Sequence, residues 1–262
     1  MVIPCIDMKI ILIGAGNLAT QLAVALQKKG MTPAYIYSRT RESAEQLSER
    51  LRDVPYSTDI SRVPTDGDLY IFAVKDSALL DLVSRMPSNR GLWVHTAGSM
   101  DMEVFAPYTA RYGVFYPMQR FSKERETDFD DIPIFVETNH TDDTERLQKL
   151  AGRLSTKVYE ATSEQRKYLH LAAVFACNFS NHLYALCDRI LSEHGLPFET
   201  MLPLIRETAA KVADMPPAQA QTGPAIRYDK NVIDKQMALL SDPTMRQIYD
   251  LMSRSIHETN KH

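Results

Sequence analysis

A glycine-rich turn near the start of the chain is the feature that most constrains the fold. An apolar run over residues 10–13 leads directly into this turn, and an Ala/Leu-rich segment follows it through Leu26. This order predicts a buried parallel strand, a tight turn and a helix. Gly14 permits the turn, Gly16 lacks the Cβ that would block a pyrophosphate, and Ala19 allows close packing of helix on strand. The alternative is that both glycines only connect the two elements. The residues that we predict to contact a dinucleotide here are Gly14, Ala15, Gly16, Asn17 and Leu18.

The residues after the second predicted strand, Ala34 to Tyr37, decide which dinucleotide is favoured. A site for NAD normally has Asp or Glu there, which accepts a hydrogen bond from the ribose 2′-hydroxyl. This chain has Ser38, Arg39 and Thr40 instead. One guanidinium and two hydroxyls suit a phosphate, so the sequence predicts NADP rather than NAD. Alternatively, Arg39 is a solvated loop cation and Thr40 only the N-cap of the next helix.

Strand-like and helix-like segments alternate through the first half of the chain. Apolar strands are predicted at 69–74 and 92–95, and a last strand at 132–137 is expected near the sheet edge, where proline is tolerated. Beyond residue 139 the pattern is almost wholly helical. We therefore predict an α/β fold, an N-terminal Rossmann domain with a mostly parallel doubly wound sheet (residues 1–138), followed by an all-α C-terminal domain (139–262). The C-terminal helices are predicted at about 144–154, 163–194, 197–213, 231–240 and 243–259.

Composition describes an ordinary globular chain of 262 residues with a net charge of −3. The absence of a clustered basic excess argues against nucleic acid as a partner, and polar residues interrupt the longest apolar stretch, 169–191, so no membrane partner is expected. The three cysteines have neither disulfide nor metal-ligand spacing, so we expect no metal site and a reducing, cytoplasmic setting. Residues 1–8 lack the features of a signal peptide and are predicted to be a ragged extension.

Three loops are predicted to line the crevice at the carboxyl ends of the strands: 74–76, 96–99 and 116–119. Among their residues, Val74, Lys75 and Gly98 are candidate cofactor contacts. Lys75 could donate to cofactor or substrate, or it could be solvated. Gly98 could allow close approach of the cofactor, or it could be a plain turn glycine.

Polar groups recur along the long predicted helix from Ser163. His170, Val174, Asn178 and His182 are spaced by four residues and would share one slowly drifting helical face. We predict His170 as the general acid, because histidine is suited to proton transfer near neutral pH, and Asn178 as a residue that orients the substrate. The alternative is that these are satisfied core groups or part of a hydrogen bond between subunits.

Two other segments carry weaker signals. The segment 222–229 is either a turn between helices or a loop that presents Arg227 to an anionic substrate. An apolar stripe at helical spacing is predicted to be core or a dimer interface: Leu171, Phe175, Phe179 and Leu183.

Five short motifs together resemble a known family. They are Gly-Ala-Gly-Asn-Leu-Ala at 14–19, Ala-Val-Lys at 73–75, His-Thr-Ala-Gly-Ser at 95–99, His-Leu-Ala-Ala-Val-Phe-Ala-Cys-Asn at 170–178 and Thr-Gly-Pro-Ala-Ile-Arg at 222–227. The chain resembles the uncharacterised bacterial Rossmann-like NADP oxidoreductases with an all-helical C-terminal domain of unknown function, which are distantly similar to pyrroline-5-carboxylate reductase. The resemblance implies NADP binding, a helical dimerisation domain and an imine or carbonyl substrate. Many relatives have histidine where this chain has Tyr116, so no role of that histidine is carried over.

The leading hypothesis is therefore an NADP-dependent oxidoreductase that transfers hydride to a small carbonyl or imine substrate. We expect it to be a homodimer formed through the C-terminal helices. The main alternative is a catalytically inactive NADP-binding sensor or scaffold. A methyltransferase is disfavoured, because such enzymes commonly place an acid after the second strand.

Overall fold

The computed structural model of the protein describes residues 8–260. The chain divides into two compact units, one ending at Ala173 and the other starting at Val174. Our predictions for the N-terminal extension and Cys5 lie outside the described residues. Between residues 8 and 260, the chain has no helix with the length and apolar character needed to cross a bilayer.

The first unit is built on one eight-stranded sheet, which confirms the predicted mostly parallel α/β architecture. Its strands lie in the order β3-β2-β1-β4-β5-β6-β7-β8, and all neighbours are parallel except the antiparallel pair β6 and β7. The order reverses between β1 and β4, where doubly wound sheets bind ligands. The strands are β1 (Ile10–Ile13), β2 (Tyr35–Tyr37), β3 (Tyr56–Ser57), β4 (Leu69–Phe72), β5 (Leu92–His95), β6 (Tyr112–Pro117), β7 (Ile134–Thr138) and β8 (Val158–Glu160).

Apolar side chains cover both faces of this sheet. Ile10 and Leu12 belong to the core on one face, whereas Ile11 and Ile13 belong to the core on the other. Burial on both sides explains why the strands are continuous apolar runs without polar alternation. The second face is rich in aromatic rings, with Trp93 packed against the side chains around β4.

The helices of the first unit connect and flank these strands: α1 (Asn17–Lys28), α2 (Arg41–Arg50), α3 (Asp76–Arg85), α4 (Thr141–Leu154) and α5 (Ser163–Ala173). The predicted strand-turn-helix at the start of the chain is confirmed. Helix α3 begins at Asp76, directly after Lys75. Strands β3 and β8 were not predicted, since two or three residues carry too little periodicity to be recognised.

The end of the first unit differs from our prediction in one respect. Strand β7 lies near the sheet edge, as predicted, but it is not the last strand, because β8 pairs with it in parallel. Pro133 is tolerated because it lies just before β7. Helix α4 packs against β7 and β8, so this helix and α5 belong to the same compact unit as the sheet. The two compact units therefore meet at 173/174 and not at 138/139, where the composition changes. The predicted division of the chain into functional domains at 138/139 stays a prediction.

The second unit is helical, but the long helix predicted at 163–194 is wrong as a regular helix. Val174–Phe179 forms a π-helical turn between α5 and α6. A π-helical turn pairs residues five apart, so a spacing of four does not trace the face expected of a regular α-helix. The helix predicted at 197–213 starts as a 3₁₀ turn, Phe198–Met201. The helices are α6 (Ser180–Glu193), α7 (Leu202–Asp214), α8 (Pro217–Ala220), α9 (Lys230–Ala238) and α10 (Pro243–Thr259).

Very little of the second unit is buried. Within residues 174–260 the buried side chains are Ile233, Met245 and Ser253. Phe175 is 64% exposed, and the other members of the predicted apolar stripe are exposed as well. The stripe is therefore not part of the core of the single chain, and its predicted role as a dimer interface stays a prediction.

Candidate functional site

Gly14 is required by the fold. It has a φ of +123°, a conformation that favours glycine, and a Cβ built on it would lie 2.3 Å from the Ala73 carbonyl oxygen. Its N–H donates to the Tyr37 carbonyl at 2.7 Å. The turn after β1 is thereby held against the ends of β2 and β4, at the point where the strand order reverses.

Gly16, in contrast, is not required by packing within the described chain. Its φ is an ordinary −81°, and no described atom lies within 4 Å of the position a Cβ would take. Gly16 is the N-cap of α1, with no side-chain cap and no acidic residue in the first helical turn. Free N–H groups and the positive end of the helix dipole suit an anionic group. The residues present therefore fit a pyrophosphate, which a side chain at position 16 would obstruct.

The other predicted residues of the turn have protein contacts of their own. Ala15 is buried, and Leu18 packs against the core. Asn17 donates from Nδ2 to the Phe121 carbonyl at 3.2 Å, which ties the segment after β6 to the start of α1.

The segment after β2 presents the predicted 2′-phosphate residues. Ser38 is buried, whereas Arg39 and Thr40 are exposed. Thr40 is the N-cap of α2, but its side chain makes no capping hydrogen bond. Arg39 has no ion pair with another described residue. The hydroxyl of Thr40 and the guanidinium of Arg39 are thus available to a ligand, although their predicted role stays a prediction.

Gly98, Tyr116 and His170 come together in the structure. A Cβ on Gly98 would lie 2.9 Å from the Tyr116 hydroxyl oxygen and 3.0 Å from His170 Nδ1. These two atoms are therefore no more than about 6 Å apart, since each lies about 3 Å from the same point. Gly98 is more than a plain turn glycine, because it makes room for two chemically active side chains. Its predicted contact with the cofactor stays a prediction.

A buried arginine holds His170 in this position. Arg166 lies one helical turn before His170 on α5 and is fully buried. Its Nη2 donates to the Met100 carbonyl at 2.9 Å and to Ser163 Oγ at 2.8 Å, and it lies 3.2 Å from Glu137 Oε2. Burial lowers the pKa of Arg166, an effect that the charge of Glu137 opposes.

Glu137 fastens the start of α5 to the sheet. Its carboxylate accepts from the Ser163 N–H at 2.9 Å and from the Ser163 hydroxyl at 2.7 Å. A negative charge at a helix N-terminus is favourable, because the first N–H groups of the helix are unpaired. Together, Glu137, Ser163 and Arg166 join β7, α5 and the loop after β5.

His95 organises the loop that carries Gly98. The Ala97 N–H donates to His95 Nδ1 at 3.2 Å, so the ring proton is assigned to Nε2, which lies 3.3 Å from the Asp101 carbonyl. Burial, aided by the positive charge of Arg166, lowers the pKa of His95 to about 4. Ser99 donates to Asp76 Oδ2 at 2.7 Å, which ties the same loop to the start of α3.

The remaining predicted residues are dispersed. Val74 lies beside Gly14, with Cγ1 3.1 Å from the position of a Gly14 Cβ. Lys75 is exposed as the N-cap of α3. Asn178 lies in the π-helical turn of the second unit and is exposed. Arg227 is also exposed, while Asp229 caps α9 by accepting from the Val232 N–H.

The sequence also led to expectations about metal sites and cysteines. Within the described range 8–260, no group of three or more His, Cys, Asp and Glu side chains is arranged to hold a metal ion. Cys177 and Cys187 are free thiols. A cytoplasmic setting stays a prediction.

Sequence reasoning missed Tyr116, Arg166 and Glu137 as members of the site. Tyr116 was included only as part of a loop that lines the crevice. Arg166 had a usable signal, because it precedes His170 by four residues on a predicted helix. Glu137 had none, since its partners follow it only after a helix and a strand.

Comparison with known proteins gives the family. A Rossmann-like domain model matches residues 3–118, and a model of a domain of unknown function, DUF2520, matches residues 132–256. No curated protein matches. The crystal structure of a putative NADP oxidoreductase from Bacteroides fragilis is 52% identical, with a TM-score of 0.87, and the alignment covers 96% of this chain and 98% of that one. The chain belongs to the same family as this protein.

More distant structures share the fold alone. A reductive aminase from Aspergillus terreus in complex with NADPH and ethyl levulinate is 16% identical, with a TM-score of 0.75, and covers 97% of this chain and 95% of its own. An imine reductase from Myxococcus stipitatus in complex with NADP⁺ is 17% identical, with a TM-score of 0.70, and the alignment covers 97% of this chain and 94% of that one.

The two glycines of the first turn can be separated by experiment. Gly14→Ala should lower the free energy of unfolding by about 3 kcal/mol or more, because it combines a strained φ with a backbone clash. Gly16→Ala should cost less than about 1 kcal/mol, since Ala fits the space and is only a poorer N-cap. Gly16→Ala should nevertheless weaken NADPH binding, measured by calorimetry. Equal NADPH affinity of Gly16→Ala and the parent protein would contradict a phosphate-binding role for this turn.

The buried His95 predicts a pH dependence of stability. Its pKa of about 4 in the folded protein lies below the ordinary value of 6.5, so the unfolded chain binds the proton first as pH falls. Stability should therefore be unaffected by His95 above about pH 7 and should decrease by up to about 3 kcal/mol as pH approaches 4. Denaturant unfolding of His95→Gln, which keeps one donor and one acceptor, should lack this component. Parallel pH curves for the two proteins would show that the prediction is wrong.

Proposed function

We propose that the protein is an NADPH-dependent reductase that transfers hydride to a small carbonyl or imine compound. The observation that carries this proposal is the open space beside Gly16 at the start of α1. Packing of the chain does not require a glycine at this position, whereas a bound pyrophosphate would. The 52% identical Bacteroides relative, a putative NADP oxidoreductase, supports the choice of cofactor. The similarity of fold to an imine reductase and a reductive aminase supports the substrate class.

The cofactor residues follow from this geometry. The backbone of residues 14–18 would hold the pyrophosphate at the start of α1, and Ser38, Arg39 and Thr40 would hold the 2′-phosphate. When bound, the reduced dinucleotide supplies a hydride. Val74, Lys75 and Gly98 come from loops at the carboxyl ends of β4 and β5, the edge at which doubly wound sheets bind their ligands.

Reduction of a C=O or C=N bond also needs a proton at the heteroatom. His170 is exposed and stands beside Gly98, and an imidazole can carry a proton near neutral pH. We assign His170 to proton supply. Asn178 is proposed to orient the substrate, because its amide offers both a donor and an acceptor.

The preference for NADPH is tested at Arg39. The parent protein should bind NADPH more tightly than NADH in calorimetric titrations. Arg39→Glu should weaken NADPH binding about tenfold or more, the loss expected for one charge-assisted hydrogen bond, while NADH binding changes little. Arg90→Glu is the matched control. Arg90 is exposed and precedes β5, so it lies at the amino ends of the strands, away from the proposed cofactor site at their carboxyl ends. Equal affinities of the parent protein for both nucleotides would refute the 2′-phosphate site.

Turnover separates an enzyme from a sensor. NADPH oxidation should be followed against a panel of small aldehydes, ketones and cyclic imines. With any reduced compound, His170→Ala should lower kcat about 100-fold or more, as expected when a group that supplies the proton is lost, and Asn178→Ala should raise KM, while NADPH affinity is kept. NADPH binding without oxidation across the panel would favour the sensor alternative.

We further propose that a second copy of this chain covers the second unit. Ile233 and Met245 are the buried apolar residues of the described part 174–260, too few to stabilise helices of this length. Phe175 and Phe179 contact each other in a T-shaped pair and both remain exposed. Interfaces of obligate homodimers resemble a domain core cut in half, which is the character of these helices.

The oligomeric state tests this second proposal. Light scattering should give twice the 29.7 kDa mass of the chain. Phe175→Glu should shift the protein toward the single-chain mass, because a carboxylate cannot be buried cheaply in an apolar interface. Leu80→Glu, at a comparably exposed leucine on α3, should leave the mass unchanged. A monomeric parent protein, or a Phe175→Glu dimer, would show that the second copy does not lie on this surface.

A further inference from the structure

We propose that the Tyr116 hydroxyl is the group that donates the proton to the substrate heteroatom, and that His170 restores the proton to Tyr116. This inference rests on the proposed reductase function and deepens it. It assigns a catalytic role to a residue that entered the sequence argument only as part of a loop.

The position of Tyr116 is the first argument. It lies one residue before the end of β6, whose carboxyl end is next to that of β5. Its hydroxyl is directed at Gly98, in the loop that follows β5, and His170 Nδ1 borders the same point. This is the edge of the sheet at which the proposed nicotinamide site lies. Gly98 has no Cβ here, and the two side chains occupy that space.

The hydroxyl is also unused by the fold. Tyr116 is only partly buried, and within residues 8–260 its hydroxyl makes no hydrogen bond. By contrast, the buried Tyr70 hydroxyl donates to the Pro64 carbonyl at 2.8 Å, and that of Tyr112 donates to Glu103 at 2.8 Å. Buried tyrosines usually satisfy their hydroxyl in this way. A hydroxyl that stays unpaired between a glycine and an imidazole is available to a ligand.

The electrostatic surroundings keep this group protonated until it reacts. Burial raises the pKa of Tyr116, the nearby Arg166 opposes this increase, and Asp76 adds to it. The charged and titratable groups that face Tyr116 are thus Arg166 and His170 from α5 and Asp76 from the start of α3. A neutral phenol can donate its proton at neutral pH, and the buried positive charge of Arg166 stabilises the tyrosinate that results.

The proposed step is balanced. As the substrate carbon accepts hydride, the Tyr116 O–H bond breaks and a bond between that hydrogen and the substrate oxygen or nitrogen forms. Tyrosinate then takes the N–H proton of the His170 imidazolium, directly or through one water. The neutral imidazole of His170, which is exposed, takes a proton from solvent. The enzyme returns to its starting state without a further co-reactant.

The contact between Tyr116 and His170 can be tested without cofactor or substrate. Protein labelled with carbon-13 at tyrosine Cζ should show one resonance that is missing in Tyr116→Phe. At one fixed pH, the chemical shift of this resonance in the parent protein should differ from that in His170→Gln, because the imidazole borders the phenol. The same chemical shift in both proteins would overturn the proposed relay.

The catalytic role is tested with the substrate found in the turnover panel. Tyr116→Phe keeps the ring and should lower kcat about 100-fold or more while leaving the NADPH dissociation constant unchanged. Gly98→Ala should also lower kcat, because the new methyl group displaces the hydroxyl and the imidazole. Tyr108→Phe, which removes the hydroxyl of an exposed tyrosine, is the control and should retain full activity.

The outcomes separate this inference from the proposed function. Full activity of Tyr116→Phe in a protein that reduces a carbonyl or imine would refute the role of Tyr116 and leave the reductase intact. Failure of the parent protein to bind NADPH would refute the reductase and with it the catalytic role, whereas the resonance experiment would still report whether the two side chains are coupled.

Discussion

The buried guanidinium of Arg166 is the interaction on which the candidate site depends. A charge removed from water is stabilised only by close partners, and Arg166 finds them in Met100, Ser163 and Glu137. These partners belong to the loop after β5, the start of α5 and strand β7. The contact therefore fixes one position of α5 on the sheet. His170, one turn further along, is held beside the loop after β5 as a result.

The glycine-rich turn shows how one motif can serve two separate requirements. Gly14 is needed by the protein itself, since a side chain there would strike the backbone after β4. Gly16 faces open space and has an ordinary backbone conformation. Spacing of glycines alone does not distinguish these cases. The structure does, because it shows that only the first glycine is explained by the chain's own packing.

The fold was predictable where its signals are contiguous. Strand β1, the turn and α1 follow one another directly. Helix α10 occupies the predicted residues 243–259, and in the structure Asp242 caps it and Pro243 begins it. The short strand β8 and the π-helical turn were missed, because neither has a periodicity that stands out from its surroundings. The site was harder still. Tyr116 and His170 are far apart in sequence, and only the topology of the sheet brings them together.

The sparse burial of the second unit has a consequence for how the protein is maintained in a cell. Helices with two buried apolar side chains obtain little stability from their own packing. If another copy covers them, the folded fraction follows the law of mass action. Dilution would then lower the folded fraction, and newly made chains would remain vulnerable to proteolysis until two of them associate.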